Sequence, residues 1–349
     1  MSPVLLIRAD ADSRIGVGHV MRCLALAQAW QDSGGEAVFV AAKLPEGLEE
    51  RLLHEGIQLA RTTAPVGSPE DAAATLAVAH HHKAAWVIVD GYAFSAHYFD
   101  ALRNAGLRVL AIDDMFHLER YPVDALLNQN LSATPEAYRG RVASQTTLLL
   151  GPRFSLLRRE FRRTPPHTQS GPHEPRRVLV TFGGADHENL TGDVLRNLQR
   201  TVRRDLHVIV LAGAANPHVP MLRELAAGMR FSCEVRVDVS NVAELMAWAD
   251  AAITAGGSTV WELASLCVPA LIGAVEQNQL MGVSALSEIA FFRAMPATEL
   301  LSSDIGDRLE RLWEENENRS GSGFDAHGAT RVVDFLQKAC DTPVTSEIA

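Results

Sequence analysis

The stretch IGVGHVMRCLALAQAW (residues 15–30) follows the apolar segment PVLLIRAD (residues 3–10). The order is an apolar strand, a turn containing Gly16 and Gly18, and then His19 at the first turn of a helix predicted over 19–32. The same order returns where RVLVTF (177–182) precedes Gly183, Gly184 and a second helical pattern. Strand, glycine turn and helix open a parallel α/β sheet, so the chain is predicted to contain two α/β domains.

Further apolar runs of strand length support this fold class, because strands that alternate with helices and are apolar throughout are typical of a parallel sheet covered on both faces. These predicted strands are 3–9, 37–42, 85–90 and 107–112 in the first half, and 177–182, 207–211, 234–238 and 269–273 in the second. A segment rich in Pro, Ser and Thr separates the halves and is typical of a linker. The predicted organisation is a domain over 1–161, a linker over 162–175 and a domain over 176–349, whose last helix is a candidate to cross back to the first domain.

The amino-acid composition indicates which partners and which cellular compartment suit this chain. The 349 residues are 47% hydrophobic and carry a net charge of −10, which argues against nucleic acid as a main partner. Four cysteines without a CxxC pair suit a reducing compartment. No signal peptide and no apolar run of about 18 residues is visible, so we expect a cytoplasmic protein with no membrane span and no cofactor.

Paired glycines between a strand and a helix predict a phosphate-binding site, since bare backbone N–H groups can approach an anion there. Met21 breaks the dinucleotide fingerprint, and no P-loop motif occurs. Glu262 is placed to accept from ribose hydroxyls, and the alternative for the second loop is a tight turn with a helix cap. The predicted nucleotide-binding residues are Gly183, Gly184, Gly256, Gly257, Ser258, Thr259 and Glu262, and the amides of Asn278 and Gln279 are predicted to join the substrate site.

Several motifs in a fixed order resemble one family. These are IRADADSRIGVGHVMRCLALA (7–27), VDGY (89–92), LLLGPRFSLLRREF (148–161), TFGGADHENLT (181–191), AGGSTVWELASLCVP (255–269), NQ (278–279) and DAHGATRVV (325–333). They resemble the PseG-type UDP-sugar hydrolases of pseudaminic acid biosynthesis, which are distantly similar to MurG-like glycosyltransferases. Gly91 departs from the pattern, because a larger residue is expected there.

The resemblance implies a GT-B fold, in which two Rossmann-like domains face each other across a cleft and the C-terminal domain binds UDP. It implies hydrolysis of UDP-2,4-diacetamido-2,4,6-trideoxy-β-L-altropyranose to UDP and the free sugar, which feeds a flagellin or surface glycan. The family's catalytic histidine falls on His19, and its substrate-binding positions fall on Tyr92 and Asn278.

The residues around His19 support this chemistry by themselves. The positive end of a helix disfavours imidazolium, so a neutral His19 is a competent general base for water, with Asp10 a candidate to orient its ring. Asp10, Gly18 and Arg22 are predicted to bind substrate, so for Asp10 the choice between orienting His19 and binding the sugar stays open. The alternative for Arg8 and Arg22 is a salt bridge to Asp10 or to Asp113 and Asp114. The string Asp10-Ala11-Asp12 is the form that metal-dependent transferases use, but its place before a glycine turn favours a loop, and no metal site is predicted.

Three functions follow from these patterns. The first is metal-independent hydrolysis of a UDP-sugar at the anomeric C–O bond with inversion. The second is a MurG-like glycosyltransferase with a UDP-sugar donor, for which an apolar and basic membrane-facing patch is expected and is not evident in residues 1–150. The third is a non-catalytic nucleotide-sugar-binding protein, which would not need a histidine base at the turn.

Overall fold

The computed structural model describes residues 2–12, 16–167, 174–201, 203–274, 286, 289, 291–316 and 324–340. The chain divides into two compact units, of which the first runs to Arg159 and takes in the segment from His327, and the second spans Glu160–Ala326. The sequence predicts that the first domain ends at 161, and the first unit of the structure ends at Arg159. The helix α5 (Arg159–Arg163) lies across this boundary. Each unit is built on one parallel sheet, so the prediction of two α/β units is confirmed.

The sheet of the first unit has seven parallel strands in the order β3-β2-β1-β4-β5-β6-β7. Its two central strands are buried along nearly their whole length, as expected for apolar strands covered on both faces. The strands are β1 (Val4–Ala9), β2 (Glu36–Ala41), β3 (Gln58–Arg61), β4 (Ala84–Asp90), β5 (Val109–Ile112), β6 (Ala125–Asn128) and β7 (Thr147–Leu150).

Helices cover both faces of this sheet. One apolar cluster joins α1, α2 and the closing helix α12 to one face, and a second joins α3 and α4 to the other. The helices are α1 (Gly18–Asp32), α2 (Glu46–His54), α3 (Pro69–His81), α4 (Ala96–Asn104) and α12 (Gly328–Cys340), with short 3₁₀ helices at Pro135–Tyr138 and Pro152–Phe154.

The closing helix α12 packs on the first unit through specific contacts. The indole Nε1 of Trp86 donates to the carbonyl of Leu336 over 3.0 Å, and the Gln337 amide donates to the Ser33 hydroxyl over 2.9 Å. At its start, Gly328 lies so close to the backbone that an added Cβ would come within 2.2 Å of the Ser155 carbonyl oxygen. Only glycine fits there, which accounts for the glycine of the DAHGATRVV motif.

The second unit has six parallel strands in the order β10-β9-β8-β11-β12-β13 around one apolar core. Its strands are β8 (Arg176–Thr181), β9 (Leu206–Ala212), β10 (Ser232–Val237), β11 (Ala251–Ala255), β12 (Ala270–Ala274) and β13 (Phe292–Pro296). Its helices are α6 (Leu190–Leu198), α7 (Val219–Ala227), α8 (Val242–Trp248), α9 (Thr259–Ser265), α10 (Ala297–Leu300) and α11 (Ile305–Asn316).

The strand order places a topological switch point in each sheet. In the first unit the chain leaves β1 for β2 and β3 and returns to the other side at β4, and in the second it does the same between β8 and β11. Ligands of open α/β sheets bind at the carboxyl ends of the strands beside such a point. The loops after β1, β4, β8 and β11 are therefore the places to look for a site.

The helices of both units are short. Within the part of the chain that the structure describes, none has the length and apolar character needed to cross a bilayer.

Candidate functional site

His19 lies at the switch point of the first unit. It is the second residue of α1, is only 6% exposed, and follows a turn in which Gly16 has the positive φ of 76° that favours glycine. Val17 precedes the helix and provides no side-chain cap. The positive end of α1 therefore lies directly beside the imidazole.

Two residues from β4 and the loop after it contact the His19 ring. The Nε2 atom of His19 is 4.0 Å from Oδ1 of Asp90, the last residue of β4. The rings of His19 and Tyr92 meet edge to face, with centroids 4.9 Å apart and an interplanar angle of 77°. Tyr92 is 43% exposed although it is a large aromatic residue, so part of it is accessible to a ligand.

The backbone conformation at position 91 explains why this chain has glycine where the family pattern has a larger residue. The φ of 146° at Gly91 lies in a region that residues with a side chain rarely adopt, and an added Cβ would lie 3.0 Å from the Phe94 ring. This backbone turn carries the chain from Asp90 to Tyr92, so glycine is required for both residues to reach His19.

Arg22 joins α1 to two acidic residues. Its Nε and Nη2 atoms each donate to Asp90 over 2.6 Å, and Nη1 donates to Oδ2 of Asp114 over 2.7 Å. Burial opposes the charge of Arg22, but the two carboxylates outweigh it and raise the pKa of the guanidinium further. The sequence offers a salt bridge to a nearby acidic residue as the alternative for Arg22. The structure shows such a salt bridge to Asp114, and it shows a second one to Asp90.

Tyr92 and Asp114 influence each other. Burial and the neighbouring Asp114 carboxylate raise the pKa of the Tyr92 hydroxyl, which therefore stays protonated in neutral solution. Burial disfavours ionised Asp114, but Arg22 holds the pKa of Asp114 below its usual value. His19, Arg22, Asp90, Tyr92 and Asp114 thus form one cluster, which we call the His19 cluster.

Asp10 does not orient His19. Its Oδ1 atom accepts from the backbone N–H groups of Ala42 and Lys43 over 2.7 and 2.8 Å, and Oδ2 accepts from Arg8 over 2.6 Å. Asp10 follows β1 and bonds the loop after the neighbouring strand β2, whereas the carboxylate against His19 comes from β4. The hypothesis that Asp10 aligns the ring is therefore wrong, and the carboxylate that lies beside the ring is that of Asp90.

The Asp10–Asp12 string is also engaged within the protein. The buried guanidinium of Arg8 bonds Asp10 together with Asp71, and Asp12 lies 3.2 Å from the ammonium of Lys43. The structure reveals no group of three or more His, Cys, Asp or Glu side chains arranged to hold a metal ion among the residues it describes.

Asp113 organises the loop after β5, a role that the sequence did not reveal. Its carboxylate accepts from the Tyr138 hydroxyl at 2.6 Å, from Nδ1 of His117 at 3.2 Å, and from two backbone N–H groups of the loop. Burial disfavours its charge, yet these hydrogen bonds hold the pKa of Asp113 below its usual value. The same loop carries Asp114 to Arg22 and brings His117 within 5.9 Å of the Tyr92 ring, measured between centroids.

In the second unit the two glycine loops differ. Gly183, which follows β8, is exposed and has a φ of 82°. The helix α6 begins only at Leu190, although the sequence pattern predicts a helix directly after Gly184. Asp186 accepts from the backbone N–H groups of Leu190 and Thr191 over 2.9 and 3.0 Å. A carboxylate of the chain therefore already caps the first turn of α6, and the backbone of Gly183 and Gly184 is the part of this loop that remains predicted for phosphate.

The loop after β11 keeps an open backbone. Gly256 donates to the carbonyl of Gly273 over 3.0 Å, which fixes the loop against β12, while an added Cβ on Gly257 meets no atom within 4 Å. Ser258 is exposed and makes no side-chain cap, Thr259 starts α9, and Glu262 lies one turn further on. Asn278 and Gln279, which the sequence predicts for the substrate site, lie outside the described residues.

Solved structures of other proteins have the same architecture. MurG of Acinetobacter baumannii superimposes with a TM-score of 0.63 at 17% identity, covering 96% of this chain and 99% of that one. MnaA of S. aureus, solved with UDP, gives a TM-score of 0.66 at 14% identity over 98% of this chain and 97% of that one. The chain has the GT-B fold.

Sequence comparison finds a similar enzyme for this GT-B chain but no matching family model. No protein-family model matches it. It is 24% identical over 259 residues to the UDP-2,4-diacetamido-2,4,6-trideoxy-β-L-altropyranose hydrolase of Campylobacter jejuni, an alignment that covers 74% of this chain and 86% of the relative. The resemblance inferred from the motifs is thereby confirmed.

The Asp113 hydrogen bonds predict a pH-dependent loss of stability in Asp113→Asn. The folded state holds the Asp113 pKa below that of the unfolded chain, so its contribution is complete above the unfolded value and is lost as pH falls through the folded value. We expect Asp113→Asn to lower the free energy of unfolding by about 2–4 kcal/mol at pH 7, because buried donors lose their acceptor. Urea unfolding between pH 2.5 and 7 should show the difference shrinking at the acid end.

Asp100→Asn is the matched control, since Asp100 pairs with Arg120 at an exposed position. It should cost less than about 1 kcal/mol. A difference between Asp113→Asn and the parent that stays constant down to pH 2.5 would contradict the assigned role of the Asp113 carboxylate.

Proposed function

We propose that the protein hydrolyses a UDP-linked diacetamido-trideoxy sugar at the anomeric C–O bond, with inversion, and releases UDP and the free sugar. The observation that carries the proposal is the His19 cluster: a histidine at the open end of α1, against a buried carboxylate and a half-exposed tyrosine, at the switch point of the sheet. The similarity to the Campylobacter jejuni hydrolase supports the reaction class and the sugar. By the same resemblance, the product enters pseudaminic acid biosynthesis, and we propose that the reaction takes place in the cytoplasm.

His19 has the properties that a general base for water needs. A neutral imidazole accepts a proton from water as the oxygen attacks C1 of the sugar from the face opposite UDP. The C1–O bond to the β-phosphate breaks, its electron pair leaves with UDP, and the attacking water oxygen becomes the anomeric hydroxyl. A diphosphate departs readily from an anomeric carbon, so the enzyme has to hold the phosphates and deliver one activated water.

The ring of Tyr92 is proposed to contact the sugar. Its hydroxyl interacts with Asp114 while the residue as a whole is 43% exposed, so we propose that an apolar face of the sugar stacks on its ring. Gly18, Asn278 and Gln279 remain proposed substrate contacts. Arg22 and Asp10 were predicted as further contacts, but their side chains are bonded to other residues of the first unit.

UDP is proposed to bind the second unit at the loop after β11. The open backbone at Gly257, with Ser258 and Thr259 at the start of α9, offers N–H and hydroxyl donors to phosphate oxygens. Glu262, one turn into α9, is proposed to accept from ribose hydroxyls. Gly183 and Gly184, at the other side of the switch point, remain proposed contacts through their backbone, although α6 itself is capped.

A MurG-like glycosyltransferase is the second candidate, favoured by the superposition on the Acinetobacter baumannii protein over nearly the whole chain. Both reactions use the same donor site and differ in whether water or an acceptor hydroxyl reaches C1. Product analysis with and without a candidate acceptor separates them, because a hydrolase releases free sugar at an undiminished rate when the acceptor is absent.

Replacing His19 should remove most of the turnover. We expect His19→Asn to lower kcat for a UDP-sugar substrate by about 10²–10⁴-fold, the usual contribution of a positioned base, while UDP affinity remains nearly unchanged. NMR-monitored release of UDP gives kcat, and calorimetry gives the affinity. A His19→Asn protein with near-parental turnover would remove His19 from the mechanism.

Gly257→Val should weaken UDP binding by about tenfold or more, because a side chain there excludes phosphate from the backbone. The variant is informative because Gly257 has open space around its Cβ position and no positive φ, so the fold tolerates the change. Glu262→Ala should weaken binding less. Gly47→Val, at an equally open glycine of the first unit, is the control. Unchanged calorimetric affinity in folded Gly257→Val would refute the placement.

The bond that breaks and the need for metal are tested in one reaction, run in ¹⁸O-water with EDTA. Since Asp10 and Asp12 are paired with cationic side chains, we expect activity to persist. Label should appear at C1 of the released sugar and be absent from UDP. Label in the UDP phosphate would mean attack at phosphorus, and activity lost in EDTA but restored by Mg²⁺ would assign a metal to the site.

A further inference from the structure

Arg22 occupies a position between two carboxylates that come from different strands. It lies one helical turn after His19 on α1 and is 7% exposed. Its fork binds both oxygens of Asp90, at the end of β4, and its third hydrogen bond goes to Asp114, in the loop after β5. A bidentate arginine–carboxylate pair fixes both partners in one plane. Arg22 therefore holds the N-terminal turn of α1 against two neighbouring strands.

Each of these carboxylates in turn lies against one residue of the proposed sugar site. Asp90 is the carboxylate 4.0 Å from Nε2 of His19, and Asp114 is the one that acts on the Tyr92 hydroxyl. The Oδ1 atom of Asp114 is covered and accepts no hydrogen bond from the residues that the structure describes. Among those residues, Arg22 is thus the partner that compensates the charge of Asp114 directly.

We propose that Arg22 is a positioning residue for His19 that acts through Asp90 and Asp114, and does not contact the sugar. This inference rests on the proposed function, in which His19 must be neutral to accept a proton. Two carboxylates near an imidazole favour its protonated form, and the buried cation of Arg22 cancels much of their effect. The bidentate bond also keeps Asp90 at a fixed place beside the ring.

The groups around His19 set the sign of the effect. Asp90 faces it from β4, and Tyr92 faces it from the loop after β4. In the loop after β5, the Asp114 carboxylate interacts with the charge of His19, and the His117 ring lies 5.9 Å from the Tyr92 ring, measured between centroids. Arg22 and Cys23 belong to its own helix, and the Cys23 thiol lies 3.5 Å from Asp90. Removing the charge of Arg22 leaves an excess of negative charge, which favours imidazolium. Removing the charge of Asp90 has the opposite effect.

The test compares Arg22→Gln, Arg22→Lys, Asp90→Asn and the double variant Arg22→Gln/Asp90→Asn. Two readouts are followed against pH: kcat for UDP-sugar hydrolysis, and the imidazole proton resonance of His19, identified by its loss in His19→Asn. Arg22→Gln should move the midpoint of the His19 resonance and the acid limb of kcat to higher pH by about one unit. Asp90→Asn should move both to lower pH, and the double variant should return them towards the parent.

Arg22→Lys separates charge from geometry. It keeps the cation but loses the fork, so kcat should fall by about tenfold while the acid limb stays in place. Arg159→Gln is the matched control, because Arg159 also bridges two carboxylates, Asp32 at the far end of α1 and Glu55. It should leave both midpoints unchanged.

The outcomes discriminate between roles. If Arg22 binds the sugar, Arg22→Gln raises KM without moving either midpoint, and the proposal is overturned. If Arg22→Gln does not fold, the opposite shift in Asp90→Asn and the parent-like midpoint of the double variant still decide. If the parent shows no hydrolysis, the proposed function fails, whereas the NMR titration still tests whether Arg22 controls the protonation of His19.

Discussion

The ion pair between Arg22 and Asp90 joins the first helix to a central strand of the first sheet, and the candidate site depends on it. Through this pair α1 is fixed against β4, so that His19, one turn earlier, meets Asp90 and Tyr92. A buried pair of this kind contributes more to the arrangement of its neighbours than to the free energy of unfolding, since desolvation offsets much of its attraction. Its effect is to hold the imidazole of His19 at one position and among a fixed set of charges.

The two units use the same topology for different chemistry. Each sheet reverses its strand order at one point, and each presents its distinctive residues there. The first unit brings side chains together: an imidazole, a phenol and carboxylates balanced by arginine. The second unit offers bare backbone, most clearly at Gly257, where no neighbouring atom fills the space of a side chain. This difference suits a first unit that acts on the sugar and a second that holds a nucleotide, as we propose.

The carboxylates show why sequence proximity misleads in such folds. Asp10 lies close to His19 along the chain, yet its side chain reaches across to the loop after β2, because β2 is one of the two neighbours of β1. The other neighbour is β4, and it supplies Asp90. Nothing in the local pattern distinguishes these two neighbours. Asp113 and Tyr138 likewise meet only because the loop after β5 folds over the segment that follows β6.

The sequence by itself determined the α/β class, the glycine turns and the place of His19 at the start of a helix, because these depend on residues a few positions apart. Apolar periodicity and glycine spacing are local properties that the chain retains in any arrangement of its strands. Only the tertiary structure decided the strand order, the acid that meets His19, the capping of α6 by Asp186 and the docking of the closing helix on the first unit. The strands β3, β6, β7 and β13 were also missed, because four or five residues show a strand pattern only where a longer apolar run surrounds them, as it does at β5. Such features follow from hydrogen bonds and ion pairs between distant segments, and these exist only once the sheet has formed.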